Sequence, residues 1–326
     1  MTPDAPVMLD VQDVRVYYGP RRQPVRAVDG VSFQLRQGEA LGLVGESGCG
    51  KSTLGRALLR LEPLQSGRVL LAGEDLVLLR GARLKAFRGR AQMIFQDPYG
   101  SLNPRHSIGG MLREAVAAHA RTTRAAREER VAELLRAVGL DPAYTRRYPH
   151  EFSGGQRQRL GLARALAVKP ELIIADEPVS ALDVSVQVQI LNLLKDLQRQ
   201  LHLALLFIAH DLAVVRYVCD RLLVMYLGQV VEAAPAPALF ARPRHPYSEA
   251  LLSAVPDVGK GLAARAGGGS PRLVLRGDPP APTHRLPGCP FHPRCPRARE
   301  RCRTEPPALR EVAPGHCSAC HFADAL

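Results

Sequence analysis

Tryptophan is absent from this chain of 326 residues, and phenylalanine and tyrosine together make up only 5% of it. The many arginines come with neither an aromatic ladder nor a groove-reading motif, so the net charge of +13 does not indicate specific DNA or RNA binding. Solvated basic helix faces, or proximity to acidic lipid headgroups, account for such a charge. The sequence therefore predicts no specific nucleic-acid partner.

Long apolar runs are also absent. The longest, Leu203 to Ala209, is far shorter than the about 20 residues that a membrane-spanning helix requires. The first residues, Met-Thr-Pro-Asp-Ala-Pro, lack the basic and apolar regions of a secretion signal. We therefore expect a protein of the cytoplasm that does not itself cross a membrane.

A glycine-rich segment that begins at Gly45 matches the phosphate-binding pattern G-x-x-x-x-G-K-[ST]. The apolar run Ala40 to Val44 before it predicts a buried strand, and Ser52 to Leu61 after it predicts a helix, which is the context that the motif needs. Glycines let backbone N–H groups curl around an anion, and the helix N-terminus adds partial positive charge. Nucleotide-binding residues are therefore predicted at Gly45, Glu46, Ser47, Gly48, Cys49, Gly50, Lys51, Ser52 and Thr53.

Within this phosphate loop the pattern assigns a role to each of its last three residues. Lys51 is assigned to the β- and γ-phosphates, Ser52 to Mg²⁺ and Thr53 to the α-phosphate. The predicted cofactors are accordingly ATP and Mg²⁺.

A second anion site is predicted about a hundred residues further on, at Ser153, Gly154, Gly155 and Gln156. These residues precede a helical pattern from Gln156 to Ala167, so they would present another helix N-terminus with a serine cap. One chain has little reason to aim two such sites at one nucleotide. Two chains that face each other head to tail could each supply one half.

The two segments together resemble the nucleotide-binding subunits of ABC transporters, in which the second segment is the signature. Phe152 stands where the signature of this family usually begins with leucine. The resemblance implies an α/β fold: a P-loop NTPase core with an antiparallel β subdomain, a helical subdomain and here a small Cys-rich C-terminal extension. It also implies an ATPase whose partner is a second ATPase subunit, either a paralogue or an identical chain.

Catalytic residues follow from the same resemblance. The strand Leu172 to Asp176 ends in a carboxylate that suits Mg²⁺ at the carboxyl edge of a parallel sheet. The next residue, Glu177, resembles the general base that polarises the attacking water. Gln96 resembles the residue that contacts Mg²⁺ and the water, and His210 the switch histidine at the γ-phosphate.

Two further nucleotide contacts are implied. Asp183 belongs to a segment that resembles the D-loop, which crosses the dimer interface in the family. Tyr18 resembles the aromatic residue that stacks on adenine, and Tyr17 is the alternative.

Length and patterning predict three regions. The chain exceeds the roughly 250 to 300 residues at which a single core stops growing, so a domain with an appendage is expected. We assign residues 1–255 to the nucleotide-binding domain, with antiparallel strands within Val7 to Gln37 and a helical subdomain at about 105–165. Residues 256–271, rich in Gly, Ala and Ser, are a predicted flexible linker, and residues 272–326 are the Cys-rich extension.

Segments Phe95 to Pro104 and His245 to Pro256 resemble the oligopeptide/dipeptide importer ATPases, a group that includes nickel importers. The resemblance implies uptake of peptides through two permease subunits fed by an extracytoplasmic solute-binding protein, with this chain on the cytoplasmic face of the membrane. Nickel or another small solute remains an alternative cargo. A soluble ABC ATPase acting on nucleic acid is a further alternative, but coiled-coil arms, zinc hooks and tandem cassettes are absent. An exporter ATPase usually lacks the cysteine tail.

Five of the seven cysteines lie between Cys289 and Cys320. Because disulfides are disfavoured in a reducing cytosol, metal ligation is the chemical use of such a cluster. The spacing resembles the C-terminal motif of peptide-importer ATPases in which four cysteines can hold an iron–sulfur cluster, and implies a [4Fe–4S] centre on Cys289, Cys295, Cys302 and Cys320.

Zinc is the competing metal, because Cys317 and Cys320 have typical zinc spacing and histidines flank them. Cys317 and Cys320 could exchange roles as the fourth ligand, and thiols without any metal are the third alternative. Cys49 and Cys219 are predicted to be small buried residues.

Overall fold

The computed structural model describes residues 5–20, 22–97, 100, 102–118, 123–254, 277–281, 283 and 286–326. The predicted linker at 256–271 lies outside the described residues. Strands within the described part are β1 (Val7–Tyr18), β2 (Val25–Arg36), β3 (Ala40–Val44), β4 (Ser66–Leu71), β5 (Glu74–Asp75), β6 (Ala91–Ile94), β7 (Leu172–Asp176), β8 (Ala204–Ala209), β9 (Arg221–Tyr226), β10 (Gln229–Pro235), β11 (Arg310–Ala313) and β12 (His316–Ser318).

Helices lie between these strands along the chain. In the described ranges they are α1 (Lys51–Leu58), α2 (Gly81–Arg90), α3 (Ile108–Ala117), α4 (Arg124–Ala137), α5 (Gly154–Leu166), α6 (Val184–Gln200), α7 (Leu212–Val218), α8 (Ala236–Ala241), α9 (Pro246–Ser253) and α10 (Glu300–Thr304). None of the described helices is both long and apolar enough to span a membrane.

The larger sheet has eight strands in the order β11-β12-β10-β9-β3-β8-β7-β6. Strands β9, β3, β8, β7 and β6 run parallel. Every residue of β3, β7 and β8 is buried, as expected for strands that are covered on both faces. This doubly wound core confirms the predicted α/β class, and it brings the carboxyl ends of β3, β6, β7 and β8 to one edge, where functional residues gather.

The smaller sheet is antiparallel, with the strand order β2-β1-β4-β5, and it confirms the predicted β subdomain. Its apolar residues, including Val11 and Val28, share one buried cluster with Leu54 and Leu58 of α1. The sheet thus packs on the helix that follows the phosphate loop.

Helices α3, α4 and α5 form the predicted helical region. Their buried apolar residues, among them Leu112, Val131 and Leu160, belong to the cluster that also contains residues of the larger sheet. Phe152 is buried and lies edge-on against Tyr144, with ring centroids 5.6 Å apart. The aromatic residue at the usual leucine position thus anchors the segment immediately before α5.

The C-terminal extension adds two strands, β11 and β12, to one edge of the larger sheet. Strand β12 pairs antiparallel with β10, and β11 pairs with β12. His316 of β12 lies 2.6 Å from the carboxylate of Glu232 in β10, and both side chains are buried. The described part of the extension is therefore continuous with the core sheet.

Candidate ATP site and cysteine cavity

The phosphate loop joins β3 to α1 and requires glycine at its tightest point. Gly50 has φ of 105°, and a Cβ there would lie 1.9 Å from the backbone oxygen of Ala27. Lys51 is 4% exposed, and its Nζ donates to the carbonyl oxygens of Gly45 at 2.8 Å and Glu46 at 2.9 Å. The ammonium group thus lies within the loop, where it can meet a phosphate.

Ser52 and Asp176 meet beside this loop. The Ser52 hydroxyl donates to Oδ1 of Asp176 at 2.8 Å, and Asp176 at the end of β7 is 1% exposed. Burial raises the pKa of the Asp176 carboxyl, and the hydrogen bond from Ser52 opposes that shift. Hydroxyl and carboxylate oxygens are the ligands that Mg²⁺ prefers, so these residues fit the predicted metal.

Glu177 lies with the other two predicted catalytic residues. The amide Nε2 of Gln96 donates to Glu177 Oε2 at 3.0 Å, and Nδ1 of His210 lies 3.1 Å from the same oxygen. The backbone of Glu177 has φ of 46°, a strained value for a non-glycine residue. Its N–H donates to the carbonyl oxygen of Ile208 at 2.9 Å, which ties the strained turn to β8.

The signature segment begins α5 with a capping box. The Ser153 hydroxyl accepts from the N–H of Gln156 at 3.3 Å, while the Gln156 side chain accepts from the N–H of Ser153 at 3.0 Å. A Cβ at Gly155 would lie 2.4 Å from Cγ1 of Val186 in α6, so this approach of the two helices requires glycine. Ser153 itself is exposed.

Asp183 precedes α6 as its N-cap residue, and its side chain makes no capping hydrogen bond. Asp183 is exposed, as is the adjacent Val184. The predicted D-loop therefore lies on the surface.

The two candidate adenine residues differ in their surroundings. The hydroxyl of Tyr17 donates to Asp29, and the guanidinium carbon of Arg26 lies 5.3 Å from the centroid of its ring. Tyr18 ends β1 and is 37% exposed. The ring of Tyr18 is thus the more accessible of the two.

Four tail cysteines line one cavity: Cys289, Cys295, Cys302 and Cys320. Burial raises the pKa of the Cys289 thiol to about 12, with a smaller contribution from the neighbouring cysteines. Cys317 lies in β12 opposite Ala233 and is not among the residues lining the cavity.

This thiol set has the chemistry that zinc and iron–sulfur clusters require. In the part of the chain that the structure describes, no group of three or more His, Cys, Asp or Glu side chains is arranged to hold a metal ion.

Comparison with known families assigns the chain. The ABC transporter family matches residues 28–180, and the oligopeptide/dipeptide transporter C-terminal region matches residues 231–302. The oligopeptide transport ATP-binding protein AppF of Bacillus subtilis is 49% identical over 324 residues, which cover 97% of each chain. The chain belongs to the family of ABC transporter ATP-binding proteins. It is therefore an ATPase, as predicted.

Other relatives of this ABC ATPase agree. The "Probable peptide ABC transporter ATP-binding protein y4tS" of Sinorhizobium fredii is 56% identical over 297 residues, 91% of this chain and 82% of the relative. Among solved structures, the ATP-binding cassette MJ0796, in a dimeric post-hydrolysis state bound to ADP and Pi, matches with a TM-score of 0.64 and 27% identity. That match covers 70% of this chain and 99% of MJ0796.

Sequence reasoning missed one contact of this ATPase. Arg294 in the cysteine-rich extension makes two hydrogen bonds to the carboxylate of Glu46 in the phosphate loop, at 2.7 and 3.0 Å. The hydroxyl of Tyr247 also accepts from the Glu46 N–H at 2.9 Å. Tyr247 lies in the His245 to Pro256 segment that sequence analysis had singled out, but no local pattern indicates its partner.

Proposed function

We propose that the chain hydrolyses ATP to drive the uptake of oligopeptides or dipeptides through a membrane permease. The observation that carries the proposal is the convergence of Gln96 and His210 on Glu177, next to the Ser52 and Asp176 pair. The names of the relatives refer to oligopeptide and peptide transport, which supports peptides as the proposed cargo. The extent of the match to AppF, 97% of each chain, supports a whole subunit of that kind.

In the proposed mechanism the side chains around the phosphate loop hold the nucleotide. Lys51 binds the β- and γ-phosphates, and Ser52, Asp176 and Gln96 hold Mg²⁺. When bound there, the metal neutralises negative charge on the phosphate oxygens. Tyr18 stacks on adenine, and Thr53 contacts the α-phosphate.

Glu177 acts as the general base. Its Oε2 takes a proton from the attacking water while the water oxygen bonds to the γ-phosphorus and the bond to the ADP oxygen breaks. Gln96 and His210 hold this carboxylate oxygen in place, and His210 contacts the γ-phosphate. A positioned base is typically worth about 10² to 10⁴ in rate.

The signature completes the site of a second chain. Its Ser153 hydroxyl and the N-terminus of α5 are proposed to bind the γ-phosphate held by the partner ATPase, which is a paralogue or an identical chain. Asp183 lies at the contact between them. Closure over two ATP molecules then moves two permease subunits, which receive cargo from an extracytoplasmic solute-binding protein, with the ATPases on the cytoplasmic face of the membrane.

In the extension we propose a [4Fe–4S] centre on Cys289, Cys295, Cys302 and Cys320. The shared cavity of these four cysteines and their thiol donors support it. The group would act as a staple, since metal binding can supply about 10 kcal/mol of folding free energy. Iron and sulfide analysis of anaerobically purified protein, with a visible absorption spectrum, tests this. One zinc per chain without iron would contradict it.

Uptake into proteoliposomes that contain the assembled transporter tests the function. We expect ATP-dependent accumulation of labelled di- or oligopeptide, and none with the Glu177→Gln subunit. ATP-dependent uptake of Ni²⁺ without peptide uptake would overturn the proposed cargo, and DNA-stimulated ATPase activity without any uptake would overturn the proposed function.

A further inference from the structure

We propose that Arg294 is a positioning residue for ATP binding, which acts from the cysteine-rich extension through Glu46 of the phosphate loop. The inference rests on the proposed role of this loop in holding the triphosphate. It makes the extension a part of the nucleotide site, in addition to any structural role of its cysteines.

The contact has the geometry of a specific ion pair. Two guanidinium nitrogens of Arg294 donate to the two carboxylate oxygens of Glu46, at 2.7 and 3.0 Å, so the pair is bidentate. The side chain of Arg294 is 6% exposed, and that of Glu46 is 27% exposed. Such a fork fixes direction as well as distance, which a flexible surface pair does not.

Three different groups of Glu46 make hydrogen bonds: its carboxylate, its backbone N–H and its backbone carbonyl oxygen. Its carboxylate binds Arg294, its N–H donates to the hydroxyl of Tyr247, and its carbonyl oxygen accepts from Nζ of Lys51. The second residue of the phosphate loop therefore links the extension directly to the lysine that is proposed to bind the phosphates.

An aromatic cluster lies beside Arg294, whose guanidinium carbon is 6.0 Å from the centroid of the Tyr226 ring. Tyr226, at the end of β9, packs against Tyr247 and Phe291, with ring centroids 4.7 and 5.3 Å apart. All three rings are almost fully buried. Because Phe291 and Arg294 lie in the same turn of the extension as Cys289 and Cys295, the fold of the cysteine cavity also sets the position of the guanidinium.

Loss of the ion pair between Arg294 and Glu46 should weaken ATP binding more than it slows hydrolysis. The catalytic groups Glu177, Gln96 and His210 follow strands β7, β6 and β8, whereas Arg294 lies in the extension. A loosened loop would bind the ground state and the transition state equally less well, which raises KM and leaves kcat unchanged.

The test measures binding of a fluorescent ATP analogue to the full-length chain, and KM and kcat in the assembled transporter. We expect Arg294→Gln to raise Kd and KM about tenfold with kcat within about twofold of wild type. Arg294→Lys, which keeps the charge but not the fork, should give an intermediate value.

Arg297→Gln is the matched control. Arg297 also joins the extension to the ATPase body, through an exposed pair with Glu249 at 2.9 Å, but it does not contact the phosphate loop. We expect its Kd to equal that of wild type. If Arg294 only anchors the extension, Arg294→Gln would lower the melting temperature and leave Kd unchanged, and the proposal would be wrong.

Two further variants separate the possible failures. In a Glu46→Gln background, Arg294→Gln should have little additional effect on Kd, and a full tenfold effect there would show that Arg294 does not act through Glu46. Lys51→Ala should abolish binding. If it does not, the proposed role of the loop fails, whereas loss of binding in Lys51→Ala with normal binding in Arg294→Gln overturns this inference alone.

Discussion

The phosphate loop and the signature segment both precede a helix N-terminus, yet their surroundings differ. The phosphate loop is largely enclosed: Lys51 is buried and Glu46 is held by the extension, while Ser47 and Gly48 at the tip of the loop are exposed. At the signature, Ser153 is exposed, and its hydroxyl is engaged with its own helix through Gln156. One anion site is thus anchored to the rest of the chain, and the other is presented on the surface.

This difference indicates that the two sites have different functions. An enclosed loop can bind nucleotide within one chain, since its positive groups are already arranged there. An exposed helix start can serve the nucleotide of a second chain, which its own fold does not reach. Changes in the residues that hold the nucleotide at the first site should therefore alter ATP binding by the isolated chain, and changes in the second site should alter only the activity of the pair.

The largest effect is expected at the enclosed site from Glu177→Gln. Loss of the base should slow ATP turnover about 10² to 10⁴-fold and preserve ATP binding. Steady-state phosphate release and nucleotide binding measure the two quantities. Glu171→Gln is the control, because Glu171 precedes β7 at its opposite end and pairs with Arg90. Near-normal hydrolysis in Glu177→Gln would remove Glu177 from the role of base.

Gly155→Ala tests the exposed site. The new methyl group would meet Val186, so the start of α5 must shift, and we expect ATPase activity of the assembled transporter to fall by roughly 10- to 100-fold. ATP binding by the isolated chain should not change.

Two variants serve as controls for that change. A second substitution, Val186→Ala, should restore part of the activity by removing the atom that clashes. Gly161→Ala lies in the same helix, where a Cβ meets nothing within 4 Å, and should leave activity intact. Weaker ATP binding by Gly155→Ala alone would contradict the division of work between the two sites.

Tyr18→Ala should weaken ATP binding at the enclosed site. Loss of a stacked base typically costs about 1 to 3 kcal/mol, so Kd should rise by about 5- to 160-fold. Tyr17→Phe, which removes only the hydroxyl bound to Asp29, should change Kd by less than about twofold. A larger effect of Tyr17→Phe than of Tyr18→Ala would assign adenine stacking to Tyr17 instead of Tyr18.

Cys302→Ser asks whether the extension supports the enclosed site. We expect this variant to lose the proposed cluster, to melt at a lower temperature, and to bind ATP several-fold more weakly through the displaced Arg294. Elemental analysis, thermal unfolding and nucleotide titration check each part.

Cys317→Ser, outside the cavity, and Cys219→Ser, a buried thiol far from it in sequence, are the controls. The second gives the intrinsic cost of replacing a buried thiol by a hydroxyl. If all three variants change the melting temperature and ATP binding equally, the cysteine cavity does not support the ATP site.

Much of the ATP site could be predicted because its residues follow apolar strands that end at one edge. The sequence predicts strands Ala40 to Val44 and Leu172 to Asp176 with the same bounds that the structure has. From such strands the proximity of Ser52 and Asp176 follows, since Asp176 ends β7 and Ser52 follows the loop after β3, at the same edge of the parallel sheet.

Other features depend on contacts between distant parts of the chain. Arg294 and Glu46 are 248 positions apart, and no local pattern links them. The choice between Cys317 and Cys320 also stayed open, because spacing alone does not tell that Cys317 lies in a strand that pairs with β10. Tyr17 and Tyr18 are consecutive residues of β1, and the sequence does not tell which ring bonds to Asp29 and which is the more exposed.

The most direct test of the central claim is sedimentation of the Glu177→Gln chain with MgATP, alone and mixed with the second ATPase of its transporter. The shared site predicts that ATP binding brings two ATPase chains together, and that removal of ATP separates them. If the chain binds ATP stoichiometrically but does not associate, either with itself or with the second ATPase, a site that is built from two chains is contradicted.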